Sequence, residues 1–100
     1  MSIVRLFRVH IHSALRADFE AKFATISVNA VRIADGALGV DIFKPSRWNP
    51  DEYLMISRWR DEAALKRFAG KDWDRAFIPP GMEQFVAECE VHHFTAWDAV

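Results

Sequence analysis

The sequence is poor in the residues that would tie it to secretion, nucleic acid or membrane. It has a single cysteine, Cys89, among 100 residues. One cysteine excludes an internal disulfide and suits a reducing compartment, so a cytoplasmic location is expected. Thirteen Lys and Arg face fourteen Asp and Glu, a net charge of −1. Without a basic cluster, the electrostatic footprint of a nucleic-acid binder is missing. Long apolar runs are missing too. The stretch MSIVRLFRVHIH is broken by arginines and histidines, which reads neither as a secretion signal nor as a membrane span. No repeat or low-complexity tract occurs. Apolar side chains are plentiful, at 51% with eight Phe and four Trp. This suits one globular domain over residues 1–100 around one core, small enough that a partner subunit is expected to cover part of it.

The joint between Tyr53 and Phe77 organises the chain. Tyr53 to Trp59 is rich in large and β-branched side chains and short, as a strand is. Asp61 follows at an N-cap position with Glu62 in the first helical turn, Leu65, Phe68 and Ala69 share one face, and Gly70 is placed to end the helix. Upstream, Ile3 to Ile11 alternates. Ile3, Phe7, Val9 and Ile11 share a face that only Arg5 interrupts, while Leu6, Arg8, His10 and His12 take the other. Ser13 is a candidate N-cap for a long amphipathic helix whose apolar positions are Leu15, Phe19, Phe23, Ile26, Ala30 and Ile33, ended by Gly36. Leu38 to Lys44 reads as the second strand and Val86 to Trp97 as the last. Between them Asp72 can cap a short turn through Ala76, stopped by Ile78-Pro79-Pro80-Gly81.

The order is β-α-β-β-α-β, an α+β ferredoxin-like fold with two helices on one face of a four-stranded antiparallel sheet. Its last strand lies beside the first. Parity then sets Cys89, Val91 and His93 on the face of Phe7, Val9 and Ile11, and Glu88, Glu90 and His92 with Arg8, His10 and His12. The second face also carries Leu6, Leu54, Ile56 and Phe94, so it needs a cover. A second copy stacked sheet to sheet, a homodimer, is the expectation.

The segments Ser57-Arg58-Trp59-Arg60-Asp61 with Ala64-Leu65, Asp72-Trp73 leading to Ile78-Pro79-Pro80-Gly81, and Val91-His92-His93-Phe94 resemble the antibiotic biosynthesis monooxygenase superfamily of dimeric α/β barrels. The resemblance in element order covers nearly the whole chain. It implies oxygenases of aromatic substrates that use no metal or flavin, alongside haem-degrading enzymes. The haem-degrading branch relies on an Asn in the first strand, a Trp in the second helix and a His after it. Phe7, Phe68 and Phe77 stand at those places here and can neither ligate iron nor donate the hydrogen bond, which disfavours that chemistry.

An oxygenase without a cofactor needs a base, a dry aromatic cavity and a donor for the developing oxyanion. His93 is the candidate base, since parity aims it at the apolar face and imidazole titrates near neutrality; the plainer reading is a core histidine bonded to a carbonyl. Trp59 and Trp73 are candidate walls and indole donors, or core filler. Arg58 or Arg5 is a candidate for holding a phenolate; the plainer reading of each is a pairing with one of the fourteen acidic groups. Phe7, Val9, Phe23, Phe68 and Phe77 would shape the cavity, with Trp73. Tyr53 reads as a surface aromatic at a strand start. His10 and His12 with Glu88 and Glu90 have donor chemistry for Zn or Fe, but serve as well as cross-strand charge pairs, and no metal or other cofactor is assigned. The functional expectation is a monooxygenase acting on a small aromatic or quinol-like molecule between helices and sheet. The alternative is a non-catalytic dimer that binds a hydrophobic small molecule.

Overall fold

The structure is a computed structural model describing residues 2–75, 78 and 81–97. Strand β1 (Ile3–Ile11) leads through a 3₁₀ turn (Ser13–Leu15) into a continuous helical run made of α1 (Arg16–Lys22), a π turn (Phe23–Ser27) and α2 (Val28–Arg32). Strands β2 (Ala37–Phe43) and β3 (Glu52–Trp59), helix α3 (Glu62–Ala69), a 3₁₀ turn (Glu83–Phe85) and β4 (Val86–Thr95) follow. The strands pair antiparallel in the order β2-β3-β1-β4, the ferredoxin-like arrangement. Among the described residues no helix is long and apolar enough to cross a membrane.

Register follows side-chain parity. Arg5 stands opposite Ser57 on β3 and His93 on β4, and Arg8 opposite Leu54 and Glu90. Val9, Ile11, Tyr53, Met55 and Trp59 are buried beneath the helices, where they meet Phe19, Phe23, Val28, Val31 and Leu65. Tyr53, expected at the surface, is 1% exposed. Its parity with Met55 turns it inward, and its hydroxyl donates to Glu20 Oε2 at 2.6 Å, so the one polar atom of the ring is satisfied at the core's edge.

Helix α3 begins as its sequence implies. The Asp61 carboxylate accepts from the Ala64 N–H at 2.8 Å, and Gly70 closes the helix at φ 82°. Gly36 ends the turn after α2 at φ 88°, and a Cβ there would run into the Ala64 methyl. Glycine therefore lets the turn after α2 approach helix α3 at that corner.

The first helical run departs from its sequence pattern in two ways. Ser13 is not its cap, since no side-chain capping bond forms there. A strict α repeat would bury Ile26, Ala30 and Ile33 below Phe19 and Phe23. Instead Ser27, Val28 and Val31 are buried, and Ile33 is 85% exposed. The π turn is the reason. It spends extra backbone on one turn and so rotates every later side chain backward relative to an α repeat. Thr25 lies within it, its hydroxyl on the Ala21 carbonyl at 2.9 Å, a back-bond that competes with regular helical geometry.

Candidate active site

A row of polar side chains crosses the inner face of the sheet: Ser57 on β3, Arg5 on β1 and His93 on β4. Arg5 is 3% exposed. Its Nη1 donates to the Trp73 carbonyl at 2.7 Å and lies 2.9 Å from His93 Nε2, while Nη2 donates to the Arg75 carbonyl at 2.9 Å. None of these partners is a carboxylate. Among the described residues, then, Arg5 does not make the expected pairing with an acidic group. Burial of its charge lowers the guanidinium pKa to about 10, which still leaves it protonated at neutral pH.

A guanidinium has only donors, so His93 Nε2 must be the acceptor and the ring proton must sit on Nδ1. His93 is thus held neutral. Burial lowers its pKa first and the neighbouring Arg5 charge lowers it further, against a smaller opposing pull from Asp74. The Trp73 ring meets the imidazole edge to face, with centroids 5.2 Å apart.

Arg5 forms one wall of a small internal cavity, together with Ser27, Ser57, Phe7, Phe23 and Phe68. Its volume is about 30 Å³, the space of a single water. Three polar residues are among the lining of an otherwise apolar hollow, which is the composition of a site that orients one polar group of an apolar ligand. Ser27 closes the π turn, a feature that recurs at functional sites. No periodicity in the sequence reveals that. Ser57 was legible, since it shares parity with Met55 and Trp59, but nothing distinguished it from a packing residue.

The other candidates fall into place around this hollow. Phe7, Phe23 and Phe68 line it. Val9 is fully buried beside an adjoining space of about 10 Å³. Trp73 contributes its carbonyl to Arg5 and its ring to His93. Trp59 is 0% exposed, but its indole N–H is spent on Ser57 Oγ at 3.0 Å and its ring packs against Phe68, so it backs the cavity wall without lining it. Arg58 lies apart. It is exposed on the opposite face of the sheet, where it pairs with Asp41 at 3.1 Å, because its parity on β3 is that of Ile56 rather than Ser57. Phe77 lies outside the described residues. His10 bonds to Glu52 at 3.3 Å, and His12 stands exposed beyond the end of β1. Among the described residues no three His, Cys, Asp or Glu side chains converge as a metal site.

Residues 2–87 match the family model described as antibiotic biosynthesis monooxygenase. The chain belongs to that family. Solved structures share its fold over almost the whole length. SnoaB, described as a cofactor-independent oxygenase from Streptomyces nogalater, is 23% identical, with 95% of this chain and 92% of that one covered at a TM-score of 0.73. Rv0793 from Mycobacterium tuberculosis is 16% identical, with 98% and 97% covered at 0.74. The heme-degrading protein Rv3592 from the same organism is 17% identical, with 95% and 93% covered at 0.66. No curated protein matches the chain in sequence. At these identities the structural likenesses establish the fold, and the chemistry has to be argued from the side chains.

Proposed function

We propose that this family member is a monooxygenase that oxidises a small, electron-rich aromatic substrate, of the phenol, anthrone or quinol type, using dioxygen and no bound metal or flavin. The observation that carries the reading is Arg5, a buried cation at a cavity wall with no carboxylate among its hydrogen-bond partners in the described residues. Such a group is preorganised for an oxyanion that develops during reaction.

The substrate's hydroxyl or enolic oxygen takes an N–H from Arg5. As Nη1 turns to the substrate it uncovers His93 Nε2, whose lone pair then accepts the substrate proton. The arrangement keeps the base neutral until substrate arrives and stores no competing negative charge. The anion passes one electron to dioxygen, and substrate radical and superoxide join through a new C–O bond. Loss of the second C–H proton and cleavage of the O–O bond leave a carbonyl and water. The balance is CH₂ + O₂ → C=O + H₂O, all four electrons coming from the substrate, so no external reductant enters.

The hollow beside Arg5 has a volume of about 30 Å³, so an aromatic ring enters only when a wall moves. Haem is a poor fit at the three positions that matter for its degradation, of which Phe7 and Phe68 wall the cavity with no ligating atom. We further propose that two copies stack through the open sheet face, where Leu6, Leu54, Ile56 and Phe94 are only partly covered within one chain.

Oxygen uptake with a panel of anthrones and quinols tests the reading. Turnover that disappears in Arg5→Leu supports it. Saturable quenching of tryptophan fluorescence with no oxygen consumed by any of them would instead identify a binder.

A further inference from the structure

We propose that Phe23 is a movable partition between the Arg5 cavity and an outer groove, and that this groove receives the aromatic substrate before it reaches Arg5. The inference rests on the proposed site, but its test does not require turnover. The groove lies between α1 and the β2 edge of the sheet and has a volume of about 380 Å³, against about 30 Å³ for the cavity. Volumes of a few hundred Å³ are those of small-molecule sites.

Its walls include Ala24, Ile42, Phe43 and Tyr53, all apolar or aromatic, and its rim carries Glu20 and Lys44, 3.4 Å apart. That chemistry suits a flat arene with a hydroxyl. Phe23 lines the groove, the cavity and the adjoining small space alike.

The other walls of the cavity are less able to move. Arg5, Phe7, Met55 and Ser57 are on central strands pinned by ladders on both sides. Val31 separates the cavity from a smaller space of about 190 Å³, but it is β-branched on a helix and held to one rotamer. Phe68, packed on Trp59 with ring centroids 4.8 Å apart, lines the cavity but neither the groove nor the adjoining small space, so its movement does not join them. Phe23 opens the π turn and lines the groove as well as the cavity. Rotating toward the groove exchanges its stack on Phe19, at 4.8 Å, for contact with the groove walls and joins the two volumes.

Ser27, at the inner wall, reports the opening. In a Cys89→Ser background, Ser27→Cys supplies one thiol inside the cavity, and its reaction with dithiodipyridine, a neutral aromatic disulfide, is followed by thiopyridone release. Phe23→Ala is expected to raise that rate by about tenfold, the equivalent of one lost aromatic contact. Phe23→Trp should lower it, while Phe68→Ala and Val31→Ala leave it close to the starting value. Phe19→Ala loosens the same ring cluster without touching the groove, so an equal acceleration there would reduce the effect to general softening of the core and overturn the proposal. So would a rate indifferent to Phe23, or one governed by Phe68 or Val31. Accelerated labelling with no oxygen uptake would leave the partition standing and remove the oxygenase.

Discussion

Arg5 and Arg8 leave the same strand on opposite faces of the sheet. Arg8 is 40% exposed and lies between two carboxylates, Glu52 at 3.0 Å and Glu90 at 3.3 Å. Arg5 is buried and has carbonyls and a neutral imidazole instead. Water and nearby acids neutralise the first, and such a pair adds little stability. The second keeps its charge in a place where an anion gains most from it, because the low local dielectric strengthens any charge that comes close. One residue type on one strand thus serves as surface trim on one side and as a candidate oxyanion donor on the other. The strand's period of two makes the difference.

The largest effect that would test this contrast is at Arg5. Arg5→Leu should lower the rate of oxygen uptake by roughly a hundred- to a thousandfold, the usual loss for one oxyanion donor. Arg5→Lys, which keeps the charge but not the fork that spans Trp73, Arg75 and His93, should recover only part of it. Arg8→Leu should barely change the rate, and if it matched Arg5→Leu the contrast between the faces would collapse.

His93→Ala comes next, with a loss of about a hundredfold or more expected of a general base, and with the proposed dimer intact by sedimentation. The pH dependence carries a sign. The folded-state pKa of His93 is below its ordinary 6.5, so the neutral form is favoured by folding. Its contribution to stability is complete above the unfolded value and is lost as pH falls through the lower folded one. Activity that needs the neutral base should fall in the same acidic range. An acid limb lying above the ordinary histidine value would contradict the Arg5 contact, and a limb that persists in His93→Ala would belong to another group.

On the open face, Ile56→Glu should convert a sedimenting dimer to a monomer at micromolar concentration, since it places a charge in the middle of the proposed sheet-to-sheet contact. The smallest effect is expected at Arg58, whose removal by Arg58→Ala should change stability by less than about 0.5 kcal/mol and leave oxygen uptake unchanged. A large loss of turnover there would bring the open face into the chemistry.

Much of the fold was legible because strands and caps announce themselves locally. The alternation in β1 assigned Arg5 to the inner face and Arg8 to the outer, and Arg8 does meet Glu90 across β4. Asp61 and Gly70 bracket α3 by the chemistry of their own backbones. Tyr53 was misread although its parity was available, because a strand's first residues look solvent-facing when the covering helix is left out of account. The second half of the first helical run was not legible in the same way. Nothing in Phe23-Ala24-Thr25-Ile26-Ser27 marks a π turn against an α turn, and the difference exchanges Ile26 and Ile33 for Ser27, Val28 and Val31 in the core. With it went Ser27, one of three polar residues in the cavity.

By itself the sequence determined the order of the elements, the two faces of each strand and the ends of α3, since these depend on periodicity and on side chains within a turn of the backbone they satisfy. Only the tertiary structure decided what Arg5 touches. Its partners Trp73, Arg75 and His93 are 68, 70 and 88 residues away along the chain. A local pattern carries the residue that needs partners. Which carbonyls and which imidazole supply them depends on where the sheet and the turn after α3 meet, and that is settled by packing.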